Sequence, residues 1–411
     1  MRVMDGPMVA RPSGALADHR HRVLSAPETL GLTVEVATTA DDLLALKPDY
    51  ERVLRVSQNK LPFALHDWHV AWCNQFLKAG KRVRTQRLFH VMRDAQCRCV
   101  GIVPLILTRR TIGPIKVDTL DLVGADPGIT EIRAPLIEPG FEARVAWAVQ
   151  RELATMRSVD WVQWSGISGA FGEALAVGAE LTWEEPLLDY VLDLPPTWEM
   201  LRANLKRNIR ESIRHGYNSL RRDGIEFELR IAKDPAAVNE ALESFFALHT
   251  QRANLTGTVK HGNVFTTESS RSFLREVCGR LSERGMVRLF QLVIHGEVVA
   301  ARLGFVVQDS LYLYYSGYDL RWADYGVMTT TLVETIKYAI AERLATVNFS
   351  TGKDVSKTRW GVREIQCERA VQVRRSSLSR FAWAAFKRAR EEGARSSWLG
   401  KLSRPAARDW A

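Results

Sequence analysis

The chain has 411 residues, a formal net charge of +10, 46% hydrophobic and 25% charged residues. That length is comfortable for two domains, and the composition is that of an ordinary soluble globular protein, which excludes global disorder. No apolar run approaches the roughly 20 residues that span a bilayer, and the first residues lack the apolar stretch of a secretory signal, so the expected location is cytoplasmic.

Five scattered cysteines, Cys73, Cys97, Cys99, Cys278 and Cys367, fit reduced thiols better than a disulfide framework. Cys97 and Cys99 have no second Cys/His pair at ligand spacing, so no metal is expected. The positive charge favours anionic partners without choosing among cofactor phosphates, nucleic acid and an acidic membrane.

Residues 1–30 show no periodicity and read as a disordered lead-in. Leu32 to Val36 alternates as a strand should, and Asp41 to Val56 carries a helical pattern capped by Thr39 or Asp41. The cluster Phe63, Trp68 and Trp72 opens a second helix and reads as a core staple, because aromatics bury large areas. Arg87 to Arg93 and Cys99 to Leu107 read as paired strands; Leu120 to Gly124 and Asp160 to Trp164 are further strands around a helix from Glu142 to Met156. The loop Gly124-Ala125-Asp126-Pro127-Gly128 contains glycines, but Asp126 would repel a pyrophosphate and no helical period follows, so it reads as structural. Leu187 to Leu194 is a strand crossing between halves, with the boundary near Pro186 to Pro196.

Thr197 to Arg222 is the most helical stretch: Leu201, Leu205, Ile209, Ile213, Tyr217 and Leu220 form a core stripe surrounded by arginines and lysines that include Arg207 and Arg210. Those cations have three readings: a solvated face, a site for cofactor phosphates or an acidic acceptor, and contacts to a nucleic-acid backbone. No signature of sequence-specific nucleic-acid recognition accompanies them. A strand from Glu226 to Ile231 precedes a helix from Pro235 to Arg252, where His249 is either a base or a C-terminal histidine favoured by the helix dipole. The loop from Gly257 to Thr266 leads to a helix from Glu268 to Arg284, in which Cys278 is inert packing.

From Met286 to Gly361 the order is a hairpin turning at His295-Gly296, an aromatic strand from Leu311 to Tyr315, and a helix starting near Tyr325 behind Gly326. A short strand follows from Thr346 to Ser350. A strand that feeds a glycine and a helix N-terminus makes an anion site, because the first helical N–H groups lack internal partners. Residues 365–375 add a strand. The tail 376–411 is basic and amphipathic, with docking on its own domain or disorder favoured over contact with anionic lipid.

This order resembles the acyl-coenzyme A core of the GNAT acetyltransferase superfamily. Gly296-Glu297-Val298-Val299-Ala300, Tyr315-Ser316-Gly317-Tyr318-Asp319 and the cluster Phe349, Gly352, Lys357 and Trp360 look like the CelD (cellulose biosynthesis) and FemAB-like branch. Val100-Gly101 with Pro104-Leu105, the Arg207-Asn208-Ile209-Arg210 motif and Leu248-His249 with Arg252 extend the resemblance upstream. It implies an α+β (mixed α/β) fold of tandem GNAT-like domains, each a mostly antiparallel sheet flanked by helices. The expected division is a degenerate N-terminal domain over 31–190 and an acyltransferase domain over 191–375.

The implied activity is transfer of an acyl group from acetyl-CoA or another acyl-CoA, without a metal, to an amine of a polar metabolite or aminosugar in polysaccharide or cell-envelope biosynthesis. Alternatives are a FemX-like aminoacyl-tRNA-dependent transferase and a non-catalytic pseudo-transferase. Backbone N–H groups of Tyr325, Gly326, Val327 and Met328 are expected on the pyrophosphate, with Arg321 offsetting Asp324. Asp319 is the leading base, followed by Glu297 and His249, and Tyr315 or Tyr318 can return a proton to the leaving thiolate. Arg207, Arg210, Arg252, Tyr315, Lys353, Lys357 and Arg359 are candidate substrate contacts. Asn348 and Ser356 stand where the family usually has Asp and Tyr.

Overall fold

Alternating and aromatic-rich segments supply most of the chain's strands, and all of them join one sheet. The computed structural model describes residues 31–113, 115–125, 128–254 and 262–391. The lead-in 1–30, Asp126, Pro127, part of the Gly257 to Thr266 loop and the end of the tail lie outside the described residues.

The N-terminal half contains β1 (Thr33–Ala37), α1 (Ala40–Ala45), α2 (Lys47–Val56), α3 (His66–Phe76), β2 (Val83–Arg93), β3 (Cys99–Ile112) and β4 (Ile115–Leu122). It continues through β5 (Leu136–Ile137), α4 (Glu142–Thr155), β6 (Val159–Ile167), α5 (Gly169–Gly178) and β7 (Thr182–Asp193). The C-terminal half begins with α6 (Trp198–Asn204), α7 (Arg207–Arg222), β8 (Phe227–Ala232), α8 (Pro235–Ala253) and α9 (Glu268–Glu283). Then come β9 (Val287–Ile294), β10 (Glu297–Val307), β11 (Ser310–Tyr318), α10 (Val327–Ala341), β12 (Thr346–Thr351), α11 (Val355–Thr358), β13 (Arg363–Val373) and α12 (Ser377–Glu391).

The sheet has 13 strands in the order β1-β2-β3-β4-β6-β13-β7-β12-β11-β10-β9-β8, with β5 attached to β3. It is mixed α/β and mostly antiparallel; β4 with β6 and β11 with β12 are parallel. The last strand of each half lies beside the other half. β7 pairs with β12, and β13 pairs with β6 as well as β7, so the two halves share one continuous ladder.

Two expected helices are interrupted. The stretch from Thr197 to Arg222 breaks at Leu205 and Lys206, both extended (ψ 144° and 152°), with Leu205 buried in the core. Asp41 to Val56 divides at Leu46, where Pro48 occupies the first turn of α2. A proline there has no N–H to lose from the ladder, so it starts a new helix cheaply. The helix expected from Tyr325 begins at Val327, after a 3-10 turn over Leu320–Tyr325. At the β9–β10 hairpin, His295 and Gly296 both have positive φ (51° and 81°), as a two-residue turn matching strand twist requires.

The C-terminal part of the sheet is covered on both faces. Phe63, Trp68, Phe245, Phe246, Phe273, Leu303, Phe305, Tyr312 and Tyr314 form one buried cluster with α3, α8 and α9. Leu311, Leu313, Leu332, Val333, Ile336 and Phe290 form another with α10, joined by Ile209 and Ile213 of α7. Within the tail, α12 lies on its own sheet: the rings of Trp383 and Phe386 pack at a tilt against Trp161, with centroids 5.5 and 5.3 Å away. No helix among the described residues is long and apolar enough to cross a membrane.

Candidate active site

β11 and β12 run parallel for three pairs only, Ser310 with Thr346, Leu311 with Val347 and Tyr312 with Asn348. Beyond Tyr312 they part. At the same level β11 carries a bulge: between the pairs Arg302–Ser316 and Gly304–Leu313, Tyr314 and Tyr315 face the single residue Leu303. Such a bulge bends its strand and re-aims neighbouring side chains. The gap opens into a cleft of about 430 Å³ lined by Leu313 to Ser316 on one side and Phe349 to Asp354 on the other. Its size falls within the roughly 300–1,000 Å³ range of ligand pockets.

Met328, Thr329 and Leu332 of α10 form one wall. The remaining lining is strongly charged: Arg252, Arg302, Lys353, Lys357 and Arg359 against Glu131 and Asp354. Arg252 Nη1 donates to Ser316 Oγ at 2.6 Å, and Lys357 Nζ donates to Ser350 Oγ at 3.2 Å and to the Thr351 carbonyl. Burial pulls the Lys357 ammonium below its ordinary range. Asn348 donates to Asp189 at 2.6 Å. An aspartate at 348 would set two buried carboxylates against each other, which accounts for the amide at this position. Trp360 is buried against Phe349, so this aromatic pair is packing.

Glu131 comes from the N-terminal half. The stretch from Gly128 to Glu131, which follows the glycine-containing loop, meets three tyrosines of β11. Tyr312 donates to Glu131 Oε2 at 2.5 Å, Tyr314 to the Ile129 carbonyl at 2.5 Å, and Tyr315 to the Gly128 carbonyl. Burial pushes the Glu131 carboxyl up to about 8, against the opposing pull of the Tyr312 hydrogen bond and Lys357. A carboxylate poised there can take a proton from an amine near neutral pH.

The expected site residues are only partly brought together. Arg252, Tyr315, Met328, Lys353, Lys357 and Arg359 line the cleft. His249 is buried behind it, its Nδ1 3.2 Å from the Ser316 carbonyl and its ring 5.4 Å from Tyr315. Asp319 caps the turn after β11 and pairs with Arg321 at 2.5 Å, which holds its carboxyl below the usual carboxylate range. That is opposite in direction to what a general base requires. Arg321 is occupied by Asp319 and by Glu297 at 3.2 Å, on the solvent side rather than in the cleft. Tyr318 packs among the residues around Val299 and Val327.

The glycine turn also differs from expectation. Val327 is buried, Tyr325 donates to Asp223 at 3.0 Å, and a Cβ on Gly326 would stand 3.5 Å from Gly216 Cα of α7. With α7 lying over Gly326, the cleft reaches α10 through its second and third residues, Met328 and Thr329. Arg207 and Arg210 lie outside the cleft, in a shallow groove on α7 with Arg202 and Arg214. Arg207 is paired with Glu211 at 2.7 Å.

A family model described as an acetyltransferase (GNAT) domain matches residues 207–358. The part of the chain that matches is similar to a domain that transfers acyl groups. The matched span contains α7 to α11 and every cleft residue except Glu131 and Arg359. No curated protein sequence matches the chain. Among solved structures, FemX is similar at a TM-score of 0.55 and 9% identity, over 82% of this chain and 98% of that one. A conserved protein of unknown function from Bacteroides thetaiotaomicron aligns at 0.50 and 14% identity, over 83% and 100%. A tandem GNAT protein from the clavulanic acid biosynthesis pathway aligns at 0.43 and 12%, over 84% and 100%. The first two share the fold of this chain.

Proposed function

We propose that this protein is an acyl-coenzyme A-dependent N-acyltransferase acting on an amine of a polar metabolite or aminosugar, in polysaccharide or cell-envelope biosynthesis of the CelD type. The observation that carries the reading is the parting of β11 from β12 beside a bulge, with the first turn of α10 at the wall of the opening. An extended thioester can lie in such a gap, using strand-edge amides along its length. Its diphosphate would lie against the first turn of α10 at Met328, where the helix dipole favours anions, the Thr329 N–H being held by the Gly326 carbonyl at 2.9 Å.

The donor supplies an activated carbonyl. The chain's own residues supply the rest: Glu131 accepts a proton from the attacking amine, whose nitrogen bonds to the thioester carbonyl carbon as the thiolate leaves. Tyr315 and Lys357 stand within the cleft for the leaving side, and Arg252, Lys353 and Arg359 for acidic groups of the ligands. We read 31–190 and 191–375 as two GNAT-like halves, a division supported by the matching parallel pairs β4–β6 and β11–β12. A cytoplasmic location follows from the same reading.

A thermal-shift screen of acyl-CoA donors tests it. A true donor at 100 times its Kd stabilises the folded chain by about 2.7 kcal/mol, and absence of a shift with every acyl-CoA rules the reading out.

The groove of Arg202, Arg207, Arg210 and Arg214 on α7 favours a second reading, transfer from an aminoacyl-tRNA. Binding of tRNA that falls steeply with salt, and is lost when Arg207 and Arg210 become alanine, would select it. Salt-independent or absent tRNA binding removes it.

A further inference from the structure

Arg302 lies midway along β10, opposite Phe290 of β9 and Ser316 of β11. Phe290 belongs to the cluster under α10, so the Arg302 side chain rises on the α10 face of the sheet, into the cleft walled by Met328 and Thr329. The neighbouring residues Ala301 and Leu303 point the other way, into the cluster under α8. An arginine at this inward position is unusual for an antiparallel strand covered on both faces.

Among the described residues Arg302 makes no side-chain hydrogen bond and no ion pair, and its Nε is buried without a partner. Burial and the adjacent Arg252 guanidinium bring its pKa down to about 9, so it remains charged at neutral pH. Lys357 is a third cation within electrostatic range of it. Burial pushes the nearby carboxyl groups Glu131 and Asp189 towards their neutral forms, and the Asp354 carboxylate in the same lining acts on Arg252 and Lys357. A half-buried guanidinium whose Nε is buried and unpaired is costly, and the cost is recovered when an oxyanion accepts its fork of N–H groups.

We propose that Arg302, flanked by Arg252, anchors an oxyanion pocket within the cleft that takes a phosphate or carboxylate group of the bound ligand. The site is built rather than incidental, because strand β10 fixes the guanidinium and the first turn of α10 shares the same wall. A ligand group held there contacts both halves of an anion trap, side-chain cations and the positive end of a helix. The pocket stands on Arg302 itself and does not depend on the donor being an acyl-CoA.

The test uses the full chain with inorganic phosphate as the probe, following thermal unfolding and calorimetric binding for wild type, Arg302→Gln and Arg302→Lys. Wild type gains stability with phosphate; Arg302→Gln binds phosphate at least about tenfold more weakly, and Arg302→Lys retains part of the binding because the point charge survives without the fork. Without phosphate, Arg302→Gln melts no lower than wild type, since an uncompensated cation has been removed. Equal phosphate binding by wild type and Arg302→Gln overturns the proposal, as does a glutamine variant that melts well below wild type in phosphate-free buffer, the mark of a packing role.

Two further arms identify the source of the anion. If Arg302→Gln weakens acetyl-CoA and spares acetyl-pantetheine, which lacks the phosphates, the group belongs to the donor. If both donors bind the variant as they bind wild type while phosphate binding is lost, the group belongs to the acceptor. Phosphate binding that depends on Arg302 in a protein that binds neither donor supports the pocket and removes the acyl-coenzyme A reading.

Discussion

Tyr312 of β11 donates a 2.5 Å hydrogen bond to Glu131, a residue 181 positions earlier in the chain, and so ties the cleft of one half to a carboxyl group of the other. The contact gives a sharp expectation. Replacing Glu131 by Gln removes the base while keeping an acceptor for Tyr312, and kcat/KM falls by about 10²–10⁴. In wild type the rate rises with pH as Glu131 ionises around 8, and in the variant that limb disappears. Steady-state rates from pH 6 to about 9.5 check it, a range that brackets the shifted carboxyl.

The same group makes a stability prediction of defined sign. Its folded pKa of about 8 lies above the ordinary value of 4.5, so the fold favours the neutral carboxyl. The contribution is full in acid and is lost as pH rises towards 8. Glu131→Gln therefore resists urea better than wild type above that pH and loses the advantage below the unfolded pKa.

Asp319 behaves in the opposite sense. Arg321 lowers its pKa, so its contribution is present above the ordinary carboxylate pKa and is lost as pH falls through the folded value. Asp319→Asn keeps a capping acceptor for the Arg321 N–H but loses the ion pair. The acid limb of the stability curve flattens, and kcat and its pH dependence change by less than about threefold, because the carboxylate pairs with Arg321 and does not line the cleft. Parallel urea and rate measurements on this variant separate the two effects.

Gly317 is where β11 comes closest to α8. A Cβ there would fall 2.2 Å from the His249 nitrogen and 2.3 Å from the Leu248 carbonyl carbon. Backbone cannot yield as a side chain can, so Gly317→Ala costs at least about 3 kcal/mol in urea unfolding and widens the cleft beside Ser316.

Much of this architecture is legible from periodicity. The hairpin at His295-Gly296, the aromatic strand and the helix of Val327, Thr331 and Ile336 stand where their spacing puts them, because local backbone geometry decides them. The exchange of β7 and β13 between halves is not legible, since a strand's period says which face it buries and nothing about its neighbour. Glu131 escaped for a related reason: it follows a glycine-rich loop without periodicity, and burial by distant residues sets its ionisation. A signal was present nonetheless. Three tyrosines within 312–315 on a buried strand need three acceptors, and residues 128–131 provide them. Asp319 misled because its neighbour Arg321, two residues on, turns back to pair with it.

The central claim, that the gap between β11 and β12 receives an acyl-CoA against the first turn of α10, is tested most directly by calorimetric titration of acetyl-CoA into wild type and Thr329→Asp. Thr329 is the third residue of α10, where an acidic side chain suits the helix dipole and preserves folding but repels a diphosphate. The account predicts saturable binding to wild type and binding weakened at least about tenfold in the variant, the effect of roughly 1.4 kcal/mol. Equal affinity in the two proteins, or no binding to either, would contradict it.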